Sequence, residues 1–365
     1  KLLELFELEE DYTESELKLA YRDLVQVWHP DKFTHNDRLK ERAEAKIKEL
    51  NSAYSDLTRL LSSRRPTARK PPSSERGKTQ YRPDNGNPSF IKSVFHASDF
   101  TVQSNVAFAH ALKLAVCARS SLNLLHVSTD REGHGISEFP KVRNTLSRWG
   151  VLNDACSSRD LKEEGFRYQK VIGYHESPVA SILHFLDEHP ADITVLATHQ
   201  RKGAQRMIHS SVAETVSRDS DGLTLFITES GNGFVSVDTG AVSLRRVLIP
   251  VDSKPNPAKA LNAAVKLADS LGLEQCDFEI LYVGESSGMP DLDTPAGKWS
   301  WRKTSAEGGI IGTILNKASN FNADLIVMAT AGHKGFLDAL RGSTTEQVVR
   351  NSLCPLLAVP VTYGF

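Results

Sequence analysis

Two short constellations in this chain carry residue types able to do chemistry. The first is His29-Pro30-Asp31, a ring, a kink and a carboxylate where one amphipathic helix stops and another begins. The second is Gly332, nine residues, then Gly342-Ser343-Thr344 at the opening of a last helix. Bare amides and a hydroxyl at a helix N-terminus bind phosphate oxygens through hydrogen bonds and the helix dipole. Gly332 lets backbone approach such a ligand with no Cβ in the way. No Walker A motif and no Gly-x-Gly-x-x-Gly is present, which disfavours P-loop and Rossmann chemistry. Gly-x-Ser-x-Gly is absent too, and no Ser/His/Asp set is compelled.

The elements that position these groups follow from pattern. Residues 1–61 hold no Gly and one Pro, with many Glu, Lys and Leu, which is helical material. Thr13 N-caps a helix bearing Leu17, Ala20, Tyr21, Leu24 and Trp28 at helical spacing, and Pro30 ends it. A second helix starts near Asp37 and carries Ala43, Ile47, Leu50, Ala53, Tyr54 and Leu57 on one face. Residues 62–90 are rich in Ser, Pro and Arg with little to bury, and read as a flexible tether.

The remainder repeats. A strand over 91–96, a helix over 105–119 and a strand over 122–127 are matched by 246–251, 257–271 and 278–283. Later, 191–198 pairs with 323–330, and Ser210-Ser211 with Gly342-Ser343. Apolar runs alternating with amphipathic helices specify parallel strands with helical crossovers, so two α/β units are expected at 91–230 and 244–365. A connection over 231–243 joins them, and the units are expected to pack about a pseudo-twofold axis.

Tyr21-Arg22, Val27-Trp28-His29-Pro30-Asp31-Lys32-Phe33 and Leu50-Asn51-Ser52-Ala53-Tyr54 together resemble the J domain of DnaJ-like co-chaperones. The resemblance implies a DnaK-type ATPase chaperone as partner, stimulated by the His29, Pro30 and Asp31 loop. Asp31 would accept a charge-assisted hydrogen bond from a partner arginine, with Lys18 and Arg22 docking electrostatically and Tyr21 shared between packing and contact. Leu19, Asp23 and Val27 thin the basic face usual in such domains. No Gly/Phe-rich segment or Cys-x-x-Cys zinc repeat follows, so this is not a full DnaJ.

The second repeat resembles the universal stress protein family, whose signature is Gly, two residues, Gly, nine residues, Gly, then Ser or Thr. Here Ala329 stands for the first glycine. The fold implied is the adenine nucleotide α hydrolase-like parallel sheet, with ATP or another adenine nucleotide, with or without Mg2+, at the carboxyl ends of its strands. Pro250, Asp252, Val283, Met328, Gly332, Gly342, Ser343 and Thr344 fall where the family binds it. The first repeat has Gln200 and Ser210 in place of two glycines and is expected not to bind ATP in this manner, although it keeps Asp99. A homodimer is a further assembly open to the family.

Composition bounds the rest. A net charge of −1 over 365 residues provides no global field toward nucleic acid or an anionic membrane. The apolar runs are strand-length, too short for a membrane span. Cys117, Cys156, Cys276 and Cys354 form no Cys-x-x-Cys pair, and no basic-then-apolar leader opens the chain, so reduced thiols and a cytoplasmic location are expected. The absence of an initial Met leaves room for residues before Lys1. The many histidines of the first repeat (His96, His110, His126, His134, His175, His184, His189, His199, His209) lack ligand spacing and read as ordinary core and surface residues. Trp299 and Trp301 could be a packing pair or a contact point. The expected function is a stress-related co-chaperone that regulates rather than catalyses. The alternatives are a slow ATP hydrolase, for which no general base or metal-binding carboxylate cluster stands near Gly342, and a nucleotide-free scaffold.

Overall fold

The structure is a computed structural model that describes residues 6, 17, 21, 24, 37–63, 90–128, 135–152, 165–174, 177–198, 212–219, 222–228, 233–331 and 344–362. The chain forms two compact units, with the main division at Asn87–Pro88.

In the first unit, α1 (Asp37–Ser63) has neither Gly nor Pro to interrupt it. Leu50, Ala53 and Leu57 are buried along one side, with Ile47 and Tyr54 partly buried beside them. Leu17, Tyr21 and Leu24 are helical and spaced i, i+4, i+7, and they pack with Phe6 onto that side. Tyr21 is used in packing: its hydroxyl donates to Asn51 Oδ1 at 2.6 Å and its ring centroid lies 4.4 Å from that of Tyr54.

In the second unit the elements run β1 (Ser93–Ala97), α2 (Val102–Ala118), β2 (Ser121–Ser128), α3 (Val142–Arg148), β3 (Arg167–Tyr174), α4 (Pro178–Glu188), β4 (Ile193–Thr198), α5 (Val212–Asp219) and β5 (Leu223–Thr228). The second repeat follows as β6 (Arg246–Val251), α6 (Ala258–Ser270), β7 (Asp277–Val283), β8 (Ser300–Ala306), α7 (Ile310–Phe321), β9 (Leu325–Thr330), α8 (Thr344–Asn351) and β10 (Leu356–Pro360). All ten strands form one sheet in the order β3-β2-β1-β4-β5-β10-β9-β6-β7-β8. That order is the same read from either end, repeat for repeat. Pairing is parallel within each repeat and antiparallel only at the seam, where Leu356, Leu357 and Ala358 of β10 face Phe226, Leu225 and Thr224 of β5.

The apolar composition of the inner strands follows from burial on both faces. One hydrophobic cluster lies on the α2 and α6 side and runs through both repeats, from Phe108 and Leu112 to Leu261 and Leu267. A second lies on the side of α4, α5, α7 and α8, around Phe185, Val216, Ile314 and Val348. The sheet therefore sits between two helical layers. The outermost strands β3 and β8 are only partly buried, as their polar sequences require. Trp299 is buried and Trp301 partly so, both against Phe278 at 5.8 and 4.7 Å between ring centroids, which makes them a packing pair.

The connection between repeats is described from residue 233 onward. Phe234, Val235 and Leu244 are buried, and Val235 bridges Val242. His110 holds this segment: its Nε2 accepts from the Phe234 and Val235 amides at 2.9 and 3.1 Å, while Nδ1 donates to Val106 O. Trp149 Nε1 donates to Val237 O at 2.9 Å. Gly233 and Gly240 have φ of +69° and +64°, and a Cβ on either would overlap the His110 or Trp149 ring.

Each repeat closes its first strand with the same carboxylate clamp. Asp192 Oδ2 accepts from the Lys92 and Ser93 amides at 2.7 and 3.0 Å, and Asp324 Oδ2 from those of Arg245 and Arg246 at 2.9 Å each. These aspartates satisfy backbone at the sheet's amino-terminal edge and are structural.

Candidate functional site

A crevice with a volume of about 420 Å3 opens where β6, β7 and β9 end, in the second repeat. Parallel strands place their carboxyl ends together, and the helices that follow them leave a gap there. Its floor is apolar, with Leu281 and Ile314 buried and Met328 nearly so. Pro250 and Val283 close the sides, and Thr330, Thr344 and Thr345 supply hydroxyl-bearing residues at the rim. Asp252 and Lys254 are the charged residues lining it among those described.

Five of the eight nucleotide-binding candidates, Pro250, Asp252, Val283, Met328 and Thr344, therefore meet in one crevice. Gly332, Gly342 and Ser343 lie outside the described residues, which border that stretch at Ala331 and Thr344. Of the chaperone-docking candidates only Tyr21 is described; Lys18, Arg22, His29, Pro30 and Asp31 lie outside. Lys254 and the rim hydroxyls at Thr330 and Thr345 were missed by sequence reasoning. The signal for Lys254 was its place two residues after Asp252, in the turn that leads into α6.

The loop after β6 is built locally. Asp252 Oδ1 accepts from the Ser253 amide at 2.6 Å, and Asn256 Oδ1 accepts from the Ala258 amide at 3.0 Å in the turn that leads into α6. An apolar floor suits the face of a heteroaromatic base, and a hydroxyl-bearing rim beside a cation suits an anionic group. The residues present thus fit an adenine nucleotide.

The corresponding turn of the first repeat is occupied differently. Thr101 N–H and Oγ1 both donate to Asp99 Oδ1, at 3.1 and 2.7 Å, and Thr101 Oγ1 accepts from the Ser104 amide as the N-cap of α2. Asp99 is thereby engaged in shaping the turn. Gln200 and Ser210 lie outside the described residues.

The described histidines are core or surface residues, and none is placed as a ligand to a metal cluster. His96 and His110 are fully buried, and desolvation lowers each from 6.5 to about 4, so both are neutral near pH 7. His96 Nδ1 donates to Val195 O at 2.8 Å. His126 Nδ1 contacts Ser98 O at 2.7 Å with its ring stacked on Phe100. His189 stacks on Phe185, and His184 is exposed near Glu188. His134, His175, His199 and His209 lie outside the described residues. Among the described residues no three His, Cys, Asp or Glu are grouped to hold a metal. Burial pushes the Cys276 thiol up to about 12 and raises that of Cys354, so neither is an activated nucleophile. No helix among the described residues is long and apolar enough to cross a membrane.

Comparison with known proteins agrees with this architecture. The universal stress protein family matches residues 91–223 and 300–360, more than half of the chain, and a DnaJ domain matches residues 1–65. The universal stress protein MJ0531 of Methanocaldococcus jannaschii is 26% identical over 138 residues, covering 32% of this chain and 81% of its own length. Universal stress protein YxiE of Bacillus subtilis is 26% identical over 147 residues, 31% of this chain and 97% of its own. The crystal structure of a universal stress protein from Archaeoglobus fulgidus superposes with a TM-score of 0.51 at 18% identity. It covers 75% of this chain and 98% of its own, a likeness of fold.

Proposed function

The chain belongs to the universal stress protein family and carries a DnaJ domain over residues 1–65, and from that premise we propose a nucleotide-responsive co-chaperone. In this reading the J domain stimulates a DnaK-type ATPase through His29, Pro30 and Asp31. The second repeat holds ATP or another adenine nucleotide through Pro250, Asp252, Val283, Met328, Gly332, Gly342, Ser343 and Thr344. Bond-breaking then happens on the partner chaperone.

The observation that carries the nucleotide half is the convergence of Pro250, Asp252, Val283, Met328 and Thr344 on one crevice at the strands' carboxyl ends. Leu281, Ile314 and Met328 would pack on the base, and the rim residues Thr344 and Thr345 lie where the phosphates would leave it. The J-domain half is supported by the helical pair in which Leu17, Tyr21 and Leu24 pack on Leu50, Tyr54 and Leu57. That packing is what a His29-Pro30-Asp31 turn between two helices requires.

Two measurements on the purified chain test the reading. Titration with ATP should give one site per chain, abolished by Gly342→Asp, which would put a carboxylate among the phosphates. Stimulation of a DnaK-type ATPase should be lost in His29→Gln. Stimulation that survives that change rejects the co-chaperone role, and the absence of nucleotide binding rejects the crevice assignment.

A further inference from the structure

Among the described residues, Lys254 holds no other side chain or backbone group in place. The equivalent position in the first repeat is Thr101, which orders its turn by donating to Asp99 and caps α2 by accepting from Ser104. A lysine ammonium has donors only and cannot accept from a helix amide. In the second repeat α6 follows Pro257 with no side-chain cap, and Asn256 Oδ1 takes the Ala258 amide. The Lys254 side chain is exposed and makes no ion pair or hydrogen bond with the described residues, yet it borders the crevice beside Asp252. A flexible cation at the mouth of a pocket with an apolar floor adds little for a neutral ligand. It contributes to an anionic one in proportion to the charge brought near it.

We infer that Lys254 is the charge-selecting residue of the crevice, making its ligand class the nucleoside di- and triphosphates in preference to nucleosides and monophosphates. This rests on the crevice being a nucleotide site and goes beyond it, because the apolar base-binding floor does not by itself rank ligands by phosphate number. Lys254 attracts the phosphate charge that Asp252, its neighbour in the lining, repels.

The test is calorimetric titration of the full chain with adenosine, AMP, ADP and ATP, in the wild type, Lys254→Met and Lys254→Arg. Methionine keeps the aliphatic stem and removes the charge, and the exposure of Lys254 makes both variants compatible with folding, verified by their melting curves. The wild type should rank ATP and ADP above AMP and adenosine. Lys254→Met should weaken ATP about tenfold and leave adenosine within about twofold, and Lys254→Arg should retain the ranking. Equal weakening of ATP and adenosine, or no change in either, overturns the inference while leaving the crevice a nucleotide site. A wild type that binds none of the four overturns both.

Discussion

The two repeats share a strand order, a carboxylate clamp and a seam, yet they bury different polar groups at different positions. Register aligns Val94 with Val247 and Leu122 with Phe278, so His96, His110 and His126 of the first repeat stand where the second has Ile249, Ala263 and Tyr282. The first repeat buries two imidazoles here: His110 clasps the connection and His96 ties β1 to β4. The second has apolar residues at those two positions, buries Glu279 against Lys317 instead, and lines a crevice with Asp252 and Lys254. The fold therefore does not dictate where polarity is spent. A buried imidazole is tolerated as readily as an alanine provided its acceptor and donor are both satisfied.

The largest effect that would break this contrast is at His110. Replacing it with alanine leaves the Phe234 and Val235 amides buried without an acceptor and opens a cavity, and should destabilise the second unit by about 3–5 kcal/mol in denaturant unfolding. A loss below about 1 kcal/mol would mean that the connection is held elsewhere. The next effect concerns pH. His96 and His110 have folded values near 4 against 6.5 unfolded, so the unfolded chain binds the extra protons. The stability they confer is complete above pH 6.5 and lost as pH falls toward 4, on the order of 3 kcal/mol for each. Unfolding curves between pH 7 and 4 should show this, and in His110→Ala the loss should shrink by one histidine's share.

The smallest effect sharpens the comparison at the seam. Thr194 and Thr224 are fully buried, and their hydroxyls have no partner among the described residues, where the second repeat has Ile326 and Leu356. Thr224→Val should stabilise by about 1 kcal/mol, read as a higher denaturant midpoint at unchanged slope. Destabilisation would show that the hydroxyl is engaged.

Much of the fold was legible because its signals are local. The apolar run Arg246–Val251 coincides with β6, and Asp277–Val283 and Leu325–Thr330 fall within a residue or two of their expected bounds. The start of α2 was read three residues late because Thr101, the true cap, precedes a Val-Gln-Ser stretch with little helical signal. Residues 233–243 read as a plain connection, since a segment that buries Phe234 and Val235 against a distant histidine has no periodicity to reveal it. In the crevice, Asp252 was implied by the family resemblance and Thr344 by the glycine signature, whereas Lys254 belongs to no motif and became visible only through the pocket it borders.

By itself the sequence determined the helical pairing in the first unit, the alternation of strands and helices, the doubling of that unit and a last helix opening near Thr344. Each is set by residue type and spacing over a few turns of chain. Only the tertiary structure decided that the two repeats close one ten-stranded sheet through an antiparallel seam, that His110 is neutral and clasps the connection, and that Asp252, Met328 and Thr344 share one crevice. Those outcomes depend on contacts between residues as far as 125 positions apart and more, where desolvation and hydrogen-bond satisfaction, and not local preference, select the partner.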